Sequence, residues 1–287
     1  MDLNLVRLQL SLSPAAACLL QPLVTGHGGI FEAALLRTGC TAPVCDCAGC
    51  LQHAGCLASS LLSRSLSPDP ELLRRYQKPS VPFMFSQPQA GEPIVHLTLA
   101  GPACDALALF ADTLEAVAGE QVRTRLQAFD YQEQLIPLQF QADGQCSNLP
   151  LLSLAELFEQ YHSLFVGCRS VEVVFQTPLR LRHNGRELQQ LQPAVLIRGL
   201  LRRLSSLAAY YGTAGDTDRL ATLAARADEV MLVTCEPAVA CRRGVCGRYQ
   251  LNGPFEEFGP YMALGSLVHL GKGAAYGQGR FSVVPLL

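Results

Sequence analysis

The chain has 287 residues, 49% of them hydrophobic and 16% charged, with a net charge of −2. These proportions exclude a largely disordered chain, and no apolar run reaches the roughly eighteen residues that a bilayer-spanning helix needs. The length suits two domains of ordinary size, and the charge total announces no polyanionic partner.

The kind of positive charge is lopsided, because Lys78 and Lys272 are the only lysines among 22 basic residues. Arginine offers phosphates a planar fork and stacks on bases, although a GC-rich coding sequence produces the same excess. At the N-terminus Asp2 precedes any positive charge, and Arg7, Gln9 and Pro14 break the apolar run. The start is therefore not read as a signal peptide, and a cytoplasmic protein without membrane contact is expected.

Val6, Leu8, Leu10 and Leu12 alternate with polar residues, the period of a half-buried strand, which Pro14 is read to end. Gly26-His27-Gly28-Gly29 then leads into a helix over Ile30–Arg37, with His27 at its entrance. Residues 40–56 read CTAPVCDCAGCLQHAGC. Disulfides are disfavoured in a reducing compartment, so thiolates packed this closely suggest a metal site. Cys47 and Cys50 form one pincer, and two of Cys40, Cys45, Cys56 and His53 would complete a tetrahedral zinc; reduced, unliganded cysteines are the alternative. Residues 57–90 mix Ser, Pro and Leu with a short helical piece and look like an insertion.

Ile94–Leu99 reads as a strand, and the spacing of Leu107, Phe110, Ala111, Leu114, Val117 and Ala118 predicts a helix stopped at Gly119. Strand-like segments follow near Arg123–Phe129 and Leu135–Phe140, and residues 141–160 read as a linker. Val171–His183 opens a second unit as a strand, with Arg180 and Arg182 opposite its apolar face. Pro193 starts a helix that Gly212 ends. Leu196, Leu200, Leu204 and Leu207 form its core stripe, while Arg198 and Arg202, joined by Arg203, lie elsewhere on it. Like charges four residues apart repel by a few tenths of a kcal/mol unless RNA, phosphate or an acid from elsewhere in the fold answers them. A helix around Asp218–Glu229 and a strand at Val230–Thr234 precede Arg242, Arg243, Arg248 and Tyr249, where phosphate-binding charge stands beside an aromatic face.

The last stretch, Leu264–Val284, is read as strand, loop, strand, with Ser266–Leu270 and Phe281–Val284 as the strands. Gly271, Gly273, Gly277 and Gly279 punctuate a loop that carries Lys272, Tyr276 and Gln278. Such a loop brings backbone N–H groups close to a phosphate, and the same glycines suit a tight hairpin. The spacing fits neither the P-loop nor the dinucleotide fingerprint.

Several blocks, in order, resemble the RAMP-superfamily endoribonucleases that process CRISPR precursor RNA. They are the glycine-led helix and cysteine cluster of residues 26–56, PFMF at 82–85, LTLAG at 97–101, TPLRLRHNG at 177–185, LIRGLLRRLSSLAAYYG at 196–212 and LVHLGKGAAYGQGRFSV ending at Val283. The resemblance implies an α+β protein of two tandem ferredoxin-like (RRM-like) domains. Residues 1–160 would form the first, with the cysteine-containing insertion at about 38–90, and residues 161–287 the second. It implies metal-independent, repeat-specific cleavage by 2′-hydroxyl attack, with no catalytic cofactor. The expected partners are a CRISPR repeat hairpin and other effector subunits. His27 stands where the family often places an acid/base histidine, and Arg37, Arg242 and Arg243 are electrostatic candidates. RNA contacts are expected from Arg180, Arg182, Arg198, Arg202, Arg203, Arg243, Arg248, Tyr249, Gly271, Lys272, Gly273, Tyr276, Gly277 and Gln278. Zinc at Cys40, Cys47, Cys50 and Cys56 would be structural. A catalytically silent guide-RNA-binding subunit, or a zinc or iron–sulphur interaction module, are the alternative readings.

Overall fold

The computed structural model describes residues 1–25, 29–40, 49–51, 56–62, 69–77, 80–86, 93–237 and 244–286. The protein is α+β, and it divides into an N-terminal unit, Asn4–Leu152, and a C-terminal unit, Met1–Leu3 with Ser153–Leu287. The expected boundary at residue 160 falls inside the helix Leu154–Leu164.

In the N-terminal unit β1 (Asn4–Ser11) is followed by α1 (Pro14–Thr25), α2 (Gly29–Gly39), α3 (Leu57–Leu62) and α4 (Pro70–Arg75). Then come β2 (Phe83–Ser86), β3 (Ile94–Ala100), α5 (Leu107–Ala118), β4 (Leu126–Phe129) and β5 (Leu135–Pro137), with the short β6 (Leu152–Ser153) at the division. The sheet order is β2-β3-β1-β4-β5, and these neighbours pair antiparallel. The four leading strands thus follow the βαββαβ connectivity of ferredoxin-like units. Helix α5 stops where expected, at Gly119 with φ 68°. The PFMF stretch supplies the core: Phe31 of α2 meets Phe85 at 4.8 Å and Phe83 at 5.5 Å between ring centroids, and Phe83 meets Phe110 at 5.4 Å. Each edge-on pair adds about 0.5–1.5 kcal/mol beyond the area it buries. The segment Pro14–Thr25 is helical. Pro14 is its first residue and the Ser13 hydroxyl accepts the Ala16 N–H at 3.2 Å, so proline opens this helix rather than merely closing the strand.

The C-terminal unit contains α6 (Leu154–Leu164), β7 (Ser170–Leu179), β8 (Arg182–His183), β9 (Arg186–Glu187), α7 (Pro193–Tyr211), α8 (Thr217–Ala225), β10 (Met231–Pro237), β11 (Val245–Asn252), α9 (Phe255–Val268) and β12 (Phe281–Leu286). Its main sheet has the order β10-β11-β7-β12, all antiparallel, again with βαββαβ connectivity. Helix α7 buries Leu196, Leu200, Leu204 and Leu207 as its pattern predicts. Ser266–Leu270 is not a strand, because Ser266, Leu267 and Val268 close helix α9. Glycine and an internal proline disguise this helix. Gly259 and Gly265 are needed for packing, since a Cβ at either would lie 2.1 Å from the Phe165 ring and 1.9 Å from Leu200 respectively. A helix buried on nearly every side shows no amphipathic period.

The first residues join the C-terminal unit. Asp2 and Thr213 exchange two backbone hydrogen bonds, and the Asp2 carboxylate accepts from the Ser153 hydroxyl at 2.8 Å and the Ala155 N–H at 3.3 Å. Burial alone would raise this carboxyl, but those bonds and the Leu3 N–H outweigh it and hold it below the ordinary range. Among the described residues no helix is long and apolar enough to cross a membrane.

Candidate nucleic-acid interface

Strand β7 ends at Leu179, and the chain turns into the two-stranded ribbon β8–β9, which pairs Arg182 with Glu187 and His183 with Arg186. Asn184 and Gly185 close it with φ 50° and 77°. Positive φ at both central residues is the geometry of the Asn-Gly hairpin turn, whose twist matches the strands it joins. At the base Arg180 grips Glu187 with two parallel bonds, Nε to Oε1 at 2.8 Å and an Nη to Oε2 at 3.0 Å. That hydrogen-bonded carboxylate raises the Arg180 pKa further. The ribbon's only acid is thereby engaged. Arg182, His183 and Arg186 are exposed, and no acid among the described residues pairs with them.

The glycine-rich loop folds onto the same junction. Lys272 donates its N–H to the Arg180 carbonyl at 2.9 Å, and Gly279 donates to the Pro178 carbonyl at 3.0 Å. The Thr177 hydroxyl donates to the Gly277 carbonyl at 2.7 Å and accepts the Arg280 N–H at 2.8 Å. Two glycines are obligatory. Gly271 has φ 88° and would place a Cβ 2.6 Å from the Arg180 oxygen, and Gly279 has φ 65° and would place one 1.7 Å from the Leu270 oxygen. Much of the loop's N–H complement is spent on its own fold: Leu270 donates to Gly279, Ala274 to Gly271, and both Tyr276 and Gln278 to Gly273. The glycines thus serve first to let the loop lie against residues 178–180. Lys272 remains exposed on it, while Tyr276 is buried and Gln278 half-buried.

A third segment enters at the same place. Gly244, with φ 81°, leaves no room for a Cβ, which would meet the Leu179 carbonyl oxygen at 2.5 Å. Arg242 and Arg243, the residues just before it, lie outside the described residues. The backbone from Leu179 to Arg180 is therefore a junction for the ribbon, the lysine-bearing loop and the entry to β11.

The other predicted contacts are placed differently. Arg198 turns to the Asp228 carboxylate and the Ala224 carbonyl, so the repulsion expected on α7 is answered by an acid from the fold. Arg248 holds both Glu172 oxygens at 2.7 Å. Tyr249 is a core residue, edge-on to Phe175 at 5.9 Å, and burial with Cys235 beside it pushes its phenol up to about 12. Its ring is not on a stacking surface. Arg203 is largely buried, and desolvation pushes its guanidinium down to about 10. Its Nε donates at 2.8 Å to the Val268 carbonyl, the last of α9, where a cation complements the helix dipole. Arg203 thus fixes the point from which the loop departs. Arg202 is exposed on α7. Sequence reading passed over His183 and Arg186, although the Asn-Gly dipeptide between two alternating arginine-bearing stretches marks the hairpin that carries them.

Arg37 is exposed in the last turn of α2. His27 and Cys47 lie outside the described residues. Cys40, Cys50 and Cys56 are half-buried free thiols, and among the described residues no three His, Cys, Asp or Glu side chains are grouped as a metal ion requires.

Two antiparallel βαββαβ sheets, one of them running into a basic ribbon stitched to a glycine-rich loop, define a protein of tandem ferredoxin-like units. Residues 173–281, which span the junction, match the family model described as CRISPR-associated endoribonuclease Cas6, and residues 3–134 match a second model described as an N-terminal domain. Over residues 173–281 the chain is similar to the Cas6 family of CRISPR-associated endoribonucleases. No curated protein matches the sequence. Among solved structures the fold is similar to a product complex of Thermus thermophilus Cas6 (TTHB231), at TM-score 0.50 and 17% identity over 100% of both chains. It is also similar to a Cas6 (TTHA0078) substrate mimic complex, at 0.51 and 15% over 99% of both. In a partial Cas6-RT-Cas1–Cas2 complex the score is 0.55 at 12% identity, over 100% of this chain and 46% of the other.

Proposed function

We propose that this protein cuts CRISPR precursor RNA at each repeat without a metal ion, and that the Leu179–Arg180 junction is where it holds the RNA. The observation that supports this most is the gathering of Arg182, His183, Arg186 and Lys272, exposed and unanswered by acids among the described residues, on one backbone junction within the family-matched segment. Phosphate contacts of this kind supply affinity and register. Arg180, Glu187 and Arg203 position the ribbon and the loop.

In the reaction the 2′-oxygen attacks the adjacent phosphorus and the bond from phosphorus to the 5′-oxygen breaks. The products are a 2′,3′-cyclic phosphate and a 5′-hydroxyl. One proton leaves the 2′-hydroxyl and one is delivered to the 5′-oxygen, a task for which His27 is the candidate acid/base. Arg37 and Arg242 are candidates to stabilise the charged phosphorane. The protein then stays on the 3′ repeat hairpin and joins an effector complex. A structural zinc would require Cys40, Cys50 and Cys56, which among the described residues are not grouped for a metal ion, to close together with Cys47, and it would take no part in the chemistry.

Incubation with the cognate repeat RNA in EDTA tests the central part. The expected result is a single cut with cyclic-phosphate ends, slowed more than tenfold in His27→Ala. An uncut repeat, or a cut that needs a divalent ion, overturns the proposal. Metal analysis of the purified protein tests the zinc, and release of the product in size-exclusion chromatography counts against retention.

A further inference from the structure

The helix layer of the C-terminal unit contains a cavity of about 240 Å³, formed where α6, α8 and α9 meet. None of its lining belongs to the ribbon or the glycine-rich loop. One wall is aromatic: Phe158 lies 4.9 Å from Tyr261 at 56°, and His162 stacks on Phe158 at 6.3 Å and 28°. Leu223 continues the apolar surface.

The polar groups sort into two sets. Glu257 gives both oxygens to Arg226 at 2.7 Å, and Arg226 also holds Glu229 through Nε at 2.8 Å and an Nη at 3.0 Å. Glu256 accepts the Gly167 N–H at 3.2 Å. These groups are occupied in supporting the helices. The second set is uncommitted. The exposed Arg219 guanidinium meets no acid, and the Tyr261 hydroxyl, on a residue only 6% exposed, meets no hydrogen-bond partner among the described residues. Burial raises the Tyr261 pKa while Arg219 opposes it, so the phenol is a protonated donor within the field of that guanidinium.

An aromatic wall asks for a planar ring, a guanidinium for an anion and a phenol for an acceptor. The volume falls below the ~300–1,000 Å³ of pockets for drug-sized ligands, enough for one base and too little for two. A cationic ligand would find both nearby glutamates already engaged. We propose that this cavity binds a single nucleotide, with its base against Phe158 and His162, its phosphate on Arg219 and an acceptor atom on the Tyr261 hydroxyl. The ligand is either a free mononucleotide or one nucleotide of an RNA strand. The inference does not depend on the cleavage reading, and either can fail alone.

The test is calorimetric titration of the full-length protein with adenosine and with each of the four ribonucleoside 5′-monophosphates. At least one monophosphate should bind saturably. Arg219→Gln should weaken it about tenfold or more, the loss of a charge-assisted contact, while leaving adenosine binding unchanged. Phe158→Leu should weaken nucleotide and nucleoside alike, and repeat-RNA cleavage measured alongside keeps the two proposals separate. Competition by a single-stranded RNA hexamer assigns the site to a strand; its absence assigns a free nucleotide, and both uphold the ligand class. Failure of every monophosphate to bind, equal binding in Arg219→Gln, or preferential uptake of argininamide lost in Glu256→Gln overturns the proposal.

Discussion

Gly279→Ala isolates the attachment of the glycine-rich loop to residues 178–180. A Cβ there lies 1.7 Å from the Leu270 oxygen, backbone that no side-chain movement can clear. The left-handed φ of 65° costs an L-residue about 1–2 kcal/mol. Relieving the clash also separates residue 279 from Leu270 and Pro178, breaking bonds of 3.1 and 3.0 Å, each worth about 0.5–1.5 kcal/mol net. The total is about 2–5 kcal/mol, a large part of a typical folding free energy of about 5–15 kcal/mol. Gly144→Ala is the control, because its φ of 84° carries the same conformational penalty with nothing within 4 Å of the new Cβ. Thermal melting compares the total costs, and hydrogen exchange locates them. Gly279→Ala should destabilise more than Gly144→Ala and expose amides in 270–280 selectively. Equal destabilisation with unchanged protection of the loop would refute the attachment.

Two further outcomes follow from titratable groups held by the fold. Desolvation pushes the Cys104 thiol up to about 12, so at pH 8 it should resist alkylation in the native protein while exposed Cys18 and Cys235 react, as peptide mass spectrometry would read; early labelling of Cys104 contradicts its burial. Asp2 titrates lower in the folded protein than in the unfolded chain, where a carboxyl has a pKa of about 3.9, so the unfolded state binds more protons there and stability rises with pH. Its contribution is complete above that range and fades as pH falls through it. Asp2→Asn should therefore flatten the acid side of the melting profile, and a parallel profile would contradict the sign.

The sequence made α5 and α7 legible because each has a core-facing leucine or phenylalanine stripe and a glycine at its end, at Gly119 and Gly212. Helix α9 escaped notice because burial on nearly all sides removes the period, and Pro260, Gly259 and Gly265 look like breakers until Phe165 and Leu200 are seen to fill the space beside the glycines. The glycine-rich loop was recognisable as a feature, but its partner was not. Hydrogen bonds to Pro178 and Arg180 join segments about a hundred residues apart, which local spacing does not encode. Arginine identity alone also did not separate contact from support. Glu187, Glu172 and Asp228 engage Arg180, Arg248 and Arg198, whereas Arg182 and Arg186 point from a ribbon whose acid is taken.

Whether the Leu179–Arg180 junction holds RNA phosphates is read from the salt dependence of repeat-RNA affinity. Each phosphate contact removed should lower the slope of log affinity against log salt by about one. The Arg182→Gln/Arg186→Gln/Lys272→Gln variant should therefore lose about three units of slope, while Arg226→Gln/Arg248→Gln, which removes guanidiniums engaged by glutamates, should lose less than about one. An unchanged slope in the first variant, or a larger loss in the second, would contradict the account.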